Sequence, residues 1–300
     1  MKYIFGPISS RRFGQSLGID LSPEIKQCNF NCVYCELKPK KPLSAMSEIC
    51  EIELILIELK SALKKFENID VITITANGEP SLYPKFDELV SKIKALNLMQ
   101  KLLVLSNSSR ISQNREAFLK CDICKFSLDS VVSETFKKID NPHISVNLDE
   151  IIANLIKFST EFKGELVIEI LVVAGFNDTA AEFEALNKVL EKINPKRIDL
   201  GTIDRPPAFK NAKAVSFETL EFLSSFIKNQ NINIVAKPSY DAKKLDFSEN
   251  EILSMLVRRP QSLSDVDAKF SDISKLNLQN LLNSQKIILK NGFYKIYNLR

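Results

Sequence analysis

The sequence predicts an α/β fold in which parallel strands alternate with helices packed outside them. Across residues 1–244, short apolar runs alternate with amphipathic segments whose apolar residues recur at i+3 and i+4 spacing. This strand-then-helix repetition favours a parallel sheet. With 45% hydrophobic and 26% charged residues, the 300-residue chain can bury a substantial core. Six strand–helix units can build either a doubly wound sheet or a complete or partial barrel. The periodicity does not distinguish between these architectures.

Each strand is predicted where a short apolar run is bounded by polar or turn residues. Six runs have this form, and Ile232 to Ala236 is a shorter seventh candidate. The six are Gly18 to Leu21, Val71 to Ala76, Leu102 to Leu105, Ile123 to Leu128, Leu166 to Val173 and Arg197 to Thr202. The predicted helices between them are Ser47 to Phe66, Lys85 to Leu96, Asn147 to Phe162, Ala180 to Lys192 and Ser216 to Lys228.

Residues 245–300 predict a second, smaller domain. A helix from Ser248 to Val257 begins with a capping box, because Glu251 lies three residues after Ser248. A second, shorter helix is predicted at Ser262 to Phe270, and a third at Ser274 to Ser284. Alternating strands on both sides of Asn291-Gly292 predict a β-hairpin. Three helices followed by a hairpin is the order of a winged helix, so we expect a main domain over residues 1–244 and a small winged-helix module after it.

Charge, histidine content and hydropathy exclude several function classes. The 41 basic and 37 acidic residues give a net charge of +4, which is too small to indicate a nucleic-acid binder by itself. The single histidine, His143, excludes zinc sites built from several histidines. The longest apolar stretch, Ile170 to Phe176, is far shorter than the ~20 residues that span a bilayer. No signal-peptide apolar region precedes Arg11, so we expect a cytoplasmic protein.

Three of the six cysteines fall within eight residues, at Cys28, Cys32 and Cys35. A disulfide framework is not expected in a cytoplasmic protein, and packing does not explain a C-x3-C-x2-C spacing on a loop after a strand. A zinc site is the main alternative, but it needs a fourth ligand, and the next cysteine, Cys50, lies in a predicted helix. Three thiolates can hold three irons of a [4Fe–4S] cluster and leave the fourth open to a small molecule. The spacing therefore favours an iron–sulfur cluster.

This motif, with Tyr34 before its last cysteine, resembles the signature of the radical S-adenosylmethionine (radical SAM) superfamily. The resemblance implies a partial (β/α)6 barrel with the cluster on the loop after the first barrel strand. It also implies that the amino and carboxylate groups of SAM bind the open iron. Members cleave SAM reductively to methionine and a 5′-deoxyadenosyl radical, which abstracts hydrogen from substrate. The expected cofactors are SAM and one [4Fe–4S] cluster held by Cys28, Cys32 and Cys35.

The resemblance also implies which residues bind SAM. Asn77-Gly78-Glu79, after the second strand, resembles the Gly-Gly-Glu motif whose backbone and glutamate contact the SAM amino group, with Asn77 in place of the first glycine. Polar residues at the carboxyl ends of barrel strands face the site, and the family uses such positions for the ribose and carboxylate of SAM. Considered in isolation, such Ser and Asp residues are more often helix caps. The expected SAM contacts are Tyr34, Asn77, Gly78, Glu79, Ser106, Asn107, Ser127 and Asp129.

Within the superfamily, the sequence is most similar to the iron–sulfur oxidoreductase group related to wybutosine synthesis. That group has segments like residues 6–14 ahead of the cysteines, 141–143 after the fourth strand and 204–208 after the sixth. The wybutosine enzyme of tRNA, however, carries a second cluster bound by cysteines ahead of the SAM motif. This chain has no cysteine before Cys28, which argues against wybutosine synthesis itself and leaves the substrate open.

Four residues are candidates for substrate contact. Arg11 and Arg12 are suited to bind a substrate phosphate, or else they cap the structure. Arg205, on the loop after the sixth strand, is suited to clamp a carboxylate or phosphate, and an ordinary exposed arginine is the alternative. His143 is the one side chain whose ordinary pKa lies near neutrality, and a loop residue without a role is the alternative.

The remaining cysteines are expected in the core. Cys121 and Cys124 form a C-x2-C pair, but they lie where the fourth strand begins, at the end of a barrel opposite the active face. Free cysteine packs as a small hydrophobe, and Cys50 is expected to do the same. None of the three is therefore predicted as a ligand.

We therefore expect a radical SAM enzyme of unknown substrate, with RNA and protein as candidates, reduced by a carrier such as flavodoxin or ferredoxin. The non-enzymatic alternative is a winged-helix DNA-binding regulator whose cluster senses iron or oxygen. A Gly-Glu-Pro motif for SAM has no purpose in such a sensor. The predicted helix from Ser274 to Ser284 has one lysine, Lys275, and residues 245–300 hold eight basic and six acidic residues. Specific DNA binding is therefore not expected, and a structural or docking role is.

Overall fold

The computed structural model of the chain describes residues 1–10, 12–228, 231–234, 244–258 and 260–297, so Arg11 lies outside the described residues. Strands and helices alternate over most of this length. The strands are β1 (Ile4–Ser10), β2 (Gly14–Asp20), β3 (Val71–Thr75), β4 (Lys101–Ser106), β5 (Ile123–Ser127), β6 (Glu165–Val172), β7 (Arg197–Thr202), β8 (Ile232–Ile234), β9 (Gln261–Ser262), β10 (Ile287–Lys290) and β11 (Phe293–Ile296). The helices are α1 (Ile52–Lys65), α2 (Phe86–Ala95), α3 (Arg115–Lys120), α4 (Ser133–Ile139), α5 (Leu148–Glu161), α6 (Ala180–Ile193), α7 (Phe217–Ser224), α8 (Glu249–Arg258), α9 (Leu263–Lys269) and α10 (Asp272–Asn283).

Strands β1 to β8 form one sheet in sequential order. Strands β2 to β8 are parallel, as the sequence predicts, and β1 pairs antiparallel with β2. The six predicted strands correspond to β2–β7, and the described part of the seventh candidate is Ile232–Ile234. Strand β1 is not predicted because Gly6-Pro7 interrupts its apolar run, and the pairing of β1 is irregular between Phe5 and Ile8.

The sheet is open and strongly curved. In a flat sheet β2 and β7 would lie about 24 Å apart, because five strand spacings of about 4.8 Å separate them. Yet Arg12, in the turn between β1 and β2, forms 3.1 Å ion pairs with Glu169 of β6 and Asp199 of β7. The guanidinium of Arg197 also lies over the ring of Phe13 in the same turn. The turn thus closes over the amino edge of a rolled sheet, which is a partial barrel.

The two faces of the curved sheet carry different side chains. On the outer face, residues such as Ile72, Val104 and Ile168 pack with the helices in the main core. On the inner face, alternate residues of β3–β6, Val71, Leu103, Ile123 and Val167, form a small apolar cluster with Phe13. One step toward the carboxyl ends, Lys125 lies within 3.4 Å of Asp199 and also pairs with Glu169. The amino half of the barrel interior is therefore filled with side chains.

Residues 245–297 contain α8, α9, α10 and a three-stranded antiparallel sheet in the order β10-β11-β9. The predicted helices and hairpin are present, and Asn291 and Gly292 have the positive φ angles, 53° and 77°, that a two-residue hairpin turn requires. The short β9 is not predicted, since two residues give no periodic pattern. These elements enclose their own core around Phe247, Phe270 and Leu281. The division between residues 244 and 245 stays a prediction.

No helix in the described part of the chain has the length and apolar character needed to cross a bilayer. The longest helices, α1, α5 and α6, have 14 residues each and carry charged side chains. They are amphipathic helices that cover the outer face of the sheet.

Candidate functional site

The three clustered cysteines lie on the loop that follows β2, at the carboxyl edge of the sheet. Because β2 to β5 are parallel, the loops after β3, β4 and β5 begin at the same edge. These loops carry Asn77-Gly78-Glu79, Ser106-Asn107 and Ser127 to Asp129. The structure therefore brings the predicted cluster ligands and the predicted SAM contacts to one edge.

Gly78 allows the loop after β3 to pack directly on the cysteine loop. The Gln27 N–H donates to the Asn77 carbonyl (2.8 Å), and the Glu79 N–H donates to the Gln27 carbonyl (3.0 Å). Gly78 has a φ of +141°, and a Cβ at this position would lie 1.9 Å from the Gln27 carbonyl oxygen. Only glycine permits this approach. The contact positions Cys28, which is the next residue along the loop.

The Glu79 carboxylate is buried beneath this contact, with 1% of the residue exposed. It accepts hydrogen bonds from Ser106 Oγ (2.7 Å), the Asn107 N–H (2.6 Å) and the Ser81 N–H (3.0 Å). Burial raises the pKa of Glu79, and these hydrogen bonds partly offset the rise. Glu79 thus ties the ends of β3 and β4 together, and three of its roughly four acceptor positions are occupied by the protein. Its contact with the SAM amino group stays a prediction.

Hydrogen-bond donors surround two of the cysteine sulfurs. The Phe30 N–H lies 3.4 Å from Cys28 Sγ, and Asn107 Nδ2 lies 3.9 Å from the same sulfur. The Lys26 ammonium lies 3.4 Å from Cys35 Sγ. Burial raises the pKa of the Cys28 thiol to about 12, and the nearby Glu79 carboxylate adds to the rise. Metal ligation therefore has to displace a proton from Cys28.

A buried pair of acidic side chains lies beside the middle cysteine, Cys32. Cys32 Sγ donates to Asp140 Oδ1 (3.4 Å), and the Tyr34 hydroxyl donates to Asp129 Oδ2. Burial raises the pKa of Asp129 to about 6. Burial raises the pKa of Asp140, and the neighbouring Asp129 carboxylate raises it further. Asp140 is not predicted from the sequence, where its only signal is its position directly before residues 141–143.

A cleft opens next to these groups above the ends of β4 and β5. Four of the predicted SAM contacts line it, together with Asp140 and apolar side chains that include Phe30 and Phe136. The four are Tyr34, Asn107, Ser127 and Asp129. An apolar wall with a few polar groups is the usual composition of a small-molecule site.

The segment around His143 pairs with the cysteine loop through its backbone. The His143 N–H donates to the Asn29 carbonyl (2.7 Å), and the Asn31 N–H donates to the Asp140 carbonyl (3.0 Å). The His143 ring shares a 2.8 Å hydrogen bond with Ser145 Oγ. These contacts give residues 141–143 a role in holding the loop, and a substrate contact of His143 stays a prediction.

Arg12 lies at the amino edge of the sheet, opposite the cysteine loop, because it belongs to the turn that precedes β2. Its guanidinium forms ion pairs with Glu169 and Asp199, and these pairs hold the turn between β1 and β2 over the amino edge of the barrel. We therefore assign Arg12 to the fold, contrary to the expected substrate contact. The sequence does not show this because the partners lie more than 150 residues away.

Arg205 is buried, with 6% of the residue exposed. Its guanidinium lies 3.8 Å from Glu36 Oε1, next to Cys35, and 3.6 Å from Asp265 Oδ2 of α9. The alternative interpretation of Arg205 as an ordinary exposed arginine is therefore wrong, because its ion pairs are internal and join the cysteine loop to residues 245–297. The structure gives no support to direct substrate contact by Arg205.

The other cysteines are core residues, as predicted. Cys121 Sγ and Cys124 Sγ donate to the carbonyls of Ala117 and Phe118, and both residues are buried. Cys50 is buried and donates to the Leu21 carbonyl (3.2 Å).

The donor set consists of three thiols on one loop, which fits an iron–sulfur cluster. No three His, Cys, Asp or Glu side chains within the described ranges converge as ligands of one ion. In a cluster each thiolate binds a separate iron, which suits three thiols spread along one loop. Donors next to Cys28 and Cys35 suit the negative charge of sulfur bound to iron. Cys28, Cys32 and Cys35 would hold three irons and leave the fourth to SAM.

Comparison with known protein sequences identifies the radical SAM superfamily as well. The profile of the radical SAM superfamily matches residues 25–190, which is more than half of the chain. A UPF0026 protein from Helicobacter pylori strain J99 is 40% identical over 291 residues, which cover 96% of this chain and 94% of the relative.

Solved structures share the fold at low sequence identity. Streptococcus suis SuiB bound to S-adenosylmethionine superposes with a TM-score of 0.56 at 16% identity, over 74% of this chain and 50% of SuiB. TYW1 with a lysine–pyruvate adduct bound superposes with a TM-score of 0.51 at 19% identity, over 72% of this chain and 74% of TYW1. The chain thus belongs to the radical SAM superfamily, and it is an enzyme whose cofactors are a [4Fe–4S] cluster and SAM.

Proposed function

We propose that Cys28, Cys32 and Cys35 hold the cluster and that SAM binds in the adjoining cleft. The observation that carries this proposal is the packing of Gly78 against Gln27, which joins the Asn77-Gly78-Glu79 turn to the residue before the first cysteine. When bound, the cluster supplies the electron that cleaves SAM to methionine and a 5′-deoxyadenosyl radical, which abstracts hydrogen from a substrate. RNA and protein are the substrate candidates.

The chain's own side chains then orient SAM and exclude water. Asn107, Ser127 and Asp129 present polar groups to the cleft at the ends of two neighbouring strands. The rings of Phe30 and Phe136 pack edge to face, with centroids 5.7 Å apart, and form an apolar wall. An apolar wall limits the water that reaches a reactive intermediate.

Residues 245–297 fit a winged-helix-like accessory module that docks substrate or partner. On α10, Lys275 is paired with Asp267 (2.8 Å) and Asn277 donates to the Phe247 carbonyl (2.8 Å). Gln279 donates to Asn283 on the same helix. Groups that would read bases or bind phosphates are thus engaged within the protein. The DNA-binding regulator receives no support, and we expect the enzyme to act in the cytoplasm.

Anaerobic reconstitution tests the cluster assignment. Wild type should hold about four irons per chain, and Cys28→Ala, Cys32→Ala and Cys35→Ala should each abolish the cluster absorption. Cys121→Ala is the matched control, because Cys121 is a core cysteine, and it should keep the cluster. With dithionite, wild type should release 5′-deoxyadenosine from SAM. A single bound zinc, or cluster loss in Cys121→Ala, would contradict the proposal.

A further inference from the structure

An exposed lysine-rich segment borders the cysteine loop. Residues 36–43 follow Cys35 directly, and Lys38, Lys40 and Lys41 within them are exposed. The Leu43 N–H donates to the Cys28 carbonyl (2.8 Å), so the segment folds back on the loop that bears the cysteines. Since Lys38 is three residues from Cys35, their Cα atoms are at most about 11 Å apart.

A second segment brings another lysine close to the cysteine loop. The Ala208 N–H donates to the Cys35 carbonyl (2.9 Å), and Lys210, two residues further on, is exposed. We call Lys38, Lys40, Lys41 and Lys210 the lysine rim. Two chain segments about 170 residues apart in sequence therefore both bring exposed lysines close to the cysteine loop.

Throughout the described part of the chain, none of the four ammonium groups of the lysine rim forms an ion pair. Of the two acidic residues nearby, Glu36 pairs with Arg205, and Asp204 is exposed. Unpaired, hydrated ammonium groups produce a positive surface potential, which attracts an acidic partner and speeds its association.

We propose that the lysine rim is the docking surface of an acidic, low-potential one-electron carrier protein with a flavin or iron–sulfur group. This inference rests on the proposed cluster ligands, because an electron that enters at the rim has only a few residues to cross. One electron passes from the reduced carrier to the enzyme, the carrier is oxidised by one electron, and no bond is formed or broken at the contact.

An acidic protein fits the lysine rim better than RNA does. Surfaces that bind single-stranded RNA combine phosphate contacts with bases stacked on aromatic or arginine side chains. The rim consists of lysines, which act as point charges. Transient redox contacts bury little surface, and charge complementarity steers and speeds their formation.

Direct binding of flavodoxin to the reconstituted enzyme tests the proposal. The variant Lys38→Glu/Lys40→Glu/Lys41→Glu reverses three charges of the rim. The control Lys157→Glu/Lys188→Glu/Lys192→Glu makes the same change on exposed lysines of α5 and α6. By calorimetry at about 50 mM salt, the rim variant should bind flavodoxin at least about tenfold more weakly than wild type, and the control within about twofold. The difference should shrink at about 300 mM salt.

A second measurement separates the docking proposal from the cluster proposal. The rim variant should release 5′-deoxyadenosine normally with dithionite but slowly with flavodoxin and its NADPH-dependent reductase. Absence of dithionite-driven cleavage in wild type would refute the cluster assignment. Equal flavodoxin affinity of the rim variant and wild type would overturn the docking proposal. So would a rim variant that loses affinity only for an RNA of about 20 nucleotides.

Discussion

Replacing Gly78 with alanine should displace the cysteine loop. The new Cβ would lie 1.9 Å from the Gln27 carbonyl oxygen and 2.4 Å from its carbon. Ordinary van der Waals separation of carbon atoms is about 3.5 Å, so the two backbones must move apart by more than an ångström. Both neighbours are backbone atoms, which cannot rotate away as a side chain can.

The cost follows from two contributions. A φ of +141° lies in a region that only glycine adopts readily, and holding another residue there costs about 1–3 kcal/mol. The displacement also breaks the two backbone hydrogen bonds of Gln27, each worth about 0.5–1.5 kcal/mol. We expect Gly78→Ala to lower the free energy of unfolding by about 4 kcal/mol.

Urea unfolding and iron analysis after reconstitution measure the effect. Iron content should fall below about half of the wild-type value, because functional sites need ligands placed within roughly 0.5 Å. Gly175→Ala is the matched control, since Gly175 has a φ of +76° and no atom within 4 Å of the added Cβ. It should cost about 1 kcal/mol and keep the cluster. Wild-type iron content and stability in Gly78→Ala would refute the reasoning.

Two further predictions concern buried charges. Lys125→Met leaves the fully buried Asp199 with less compensating charge, so it should lower the free energy of unfolding by about 3 kcal/mol. The control Lys137→Met, on the exposed surface, should change it by less than about 0.5 kcal/mol. Equal effects of the two changes in urea unfolding would contradict the stabilising role of the ion pair between Lys125 and Asp199. Although burial opposes it, the charge of Lys269 lowers the pKa of Asp265 to about 2. The free energy of unfolding of wild type should therefore exceed that of Asp265→Asn by roughly 1–2 kcal/mol above about pH 4. The difference should decrease as the pH falls from about 4 and vanish below about 2, and a difference independent of pH would contradict this.

Local patterns were sufficient to predict the elements that bear the site. The apolar runs that became β3, β4 and β5 are short and clearly bounded, and their parallel order places Asn77, Ser106 and Ser127 at one edge without further information. The spacing of the cysteines is likewise a local pattern. These predictions needed no knowledge of distant contacts.

Long-range pairings were not predictable in the same way. Arg12 contacts Glu169, 157 residues away, and no local pattern reveals that pairing. Arg205 meets Asp265 only because the chain after the sheet returns to the cysteine loop. Asp140 reaches Cys32 because α4 ends beside it. In each case the function assigned to a polar residue depended on a partner that only tertiary folding supplies.

The charged layer of Lys125, Glu169 and Asp199 sets the depth of the reaction space. It lies two residues below Ser127, which is roughly 7 Å along the strand. This layer and the apolar cluster below it fill the amino half of the barrel interior, so they limit how far any group can enter from the carboxyl side. The polar side chains at the strand ends are therefore the deepest part of the barrel that a substrate group has to reach.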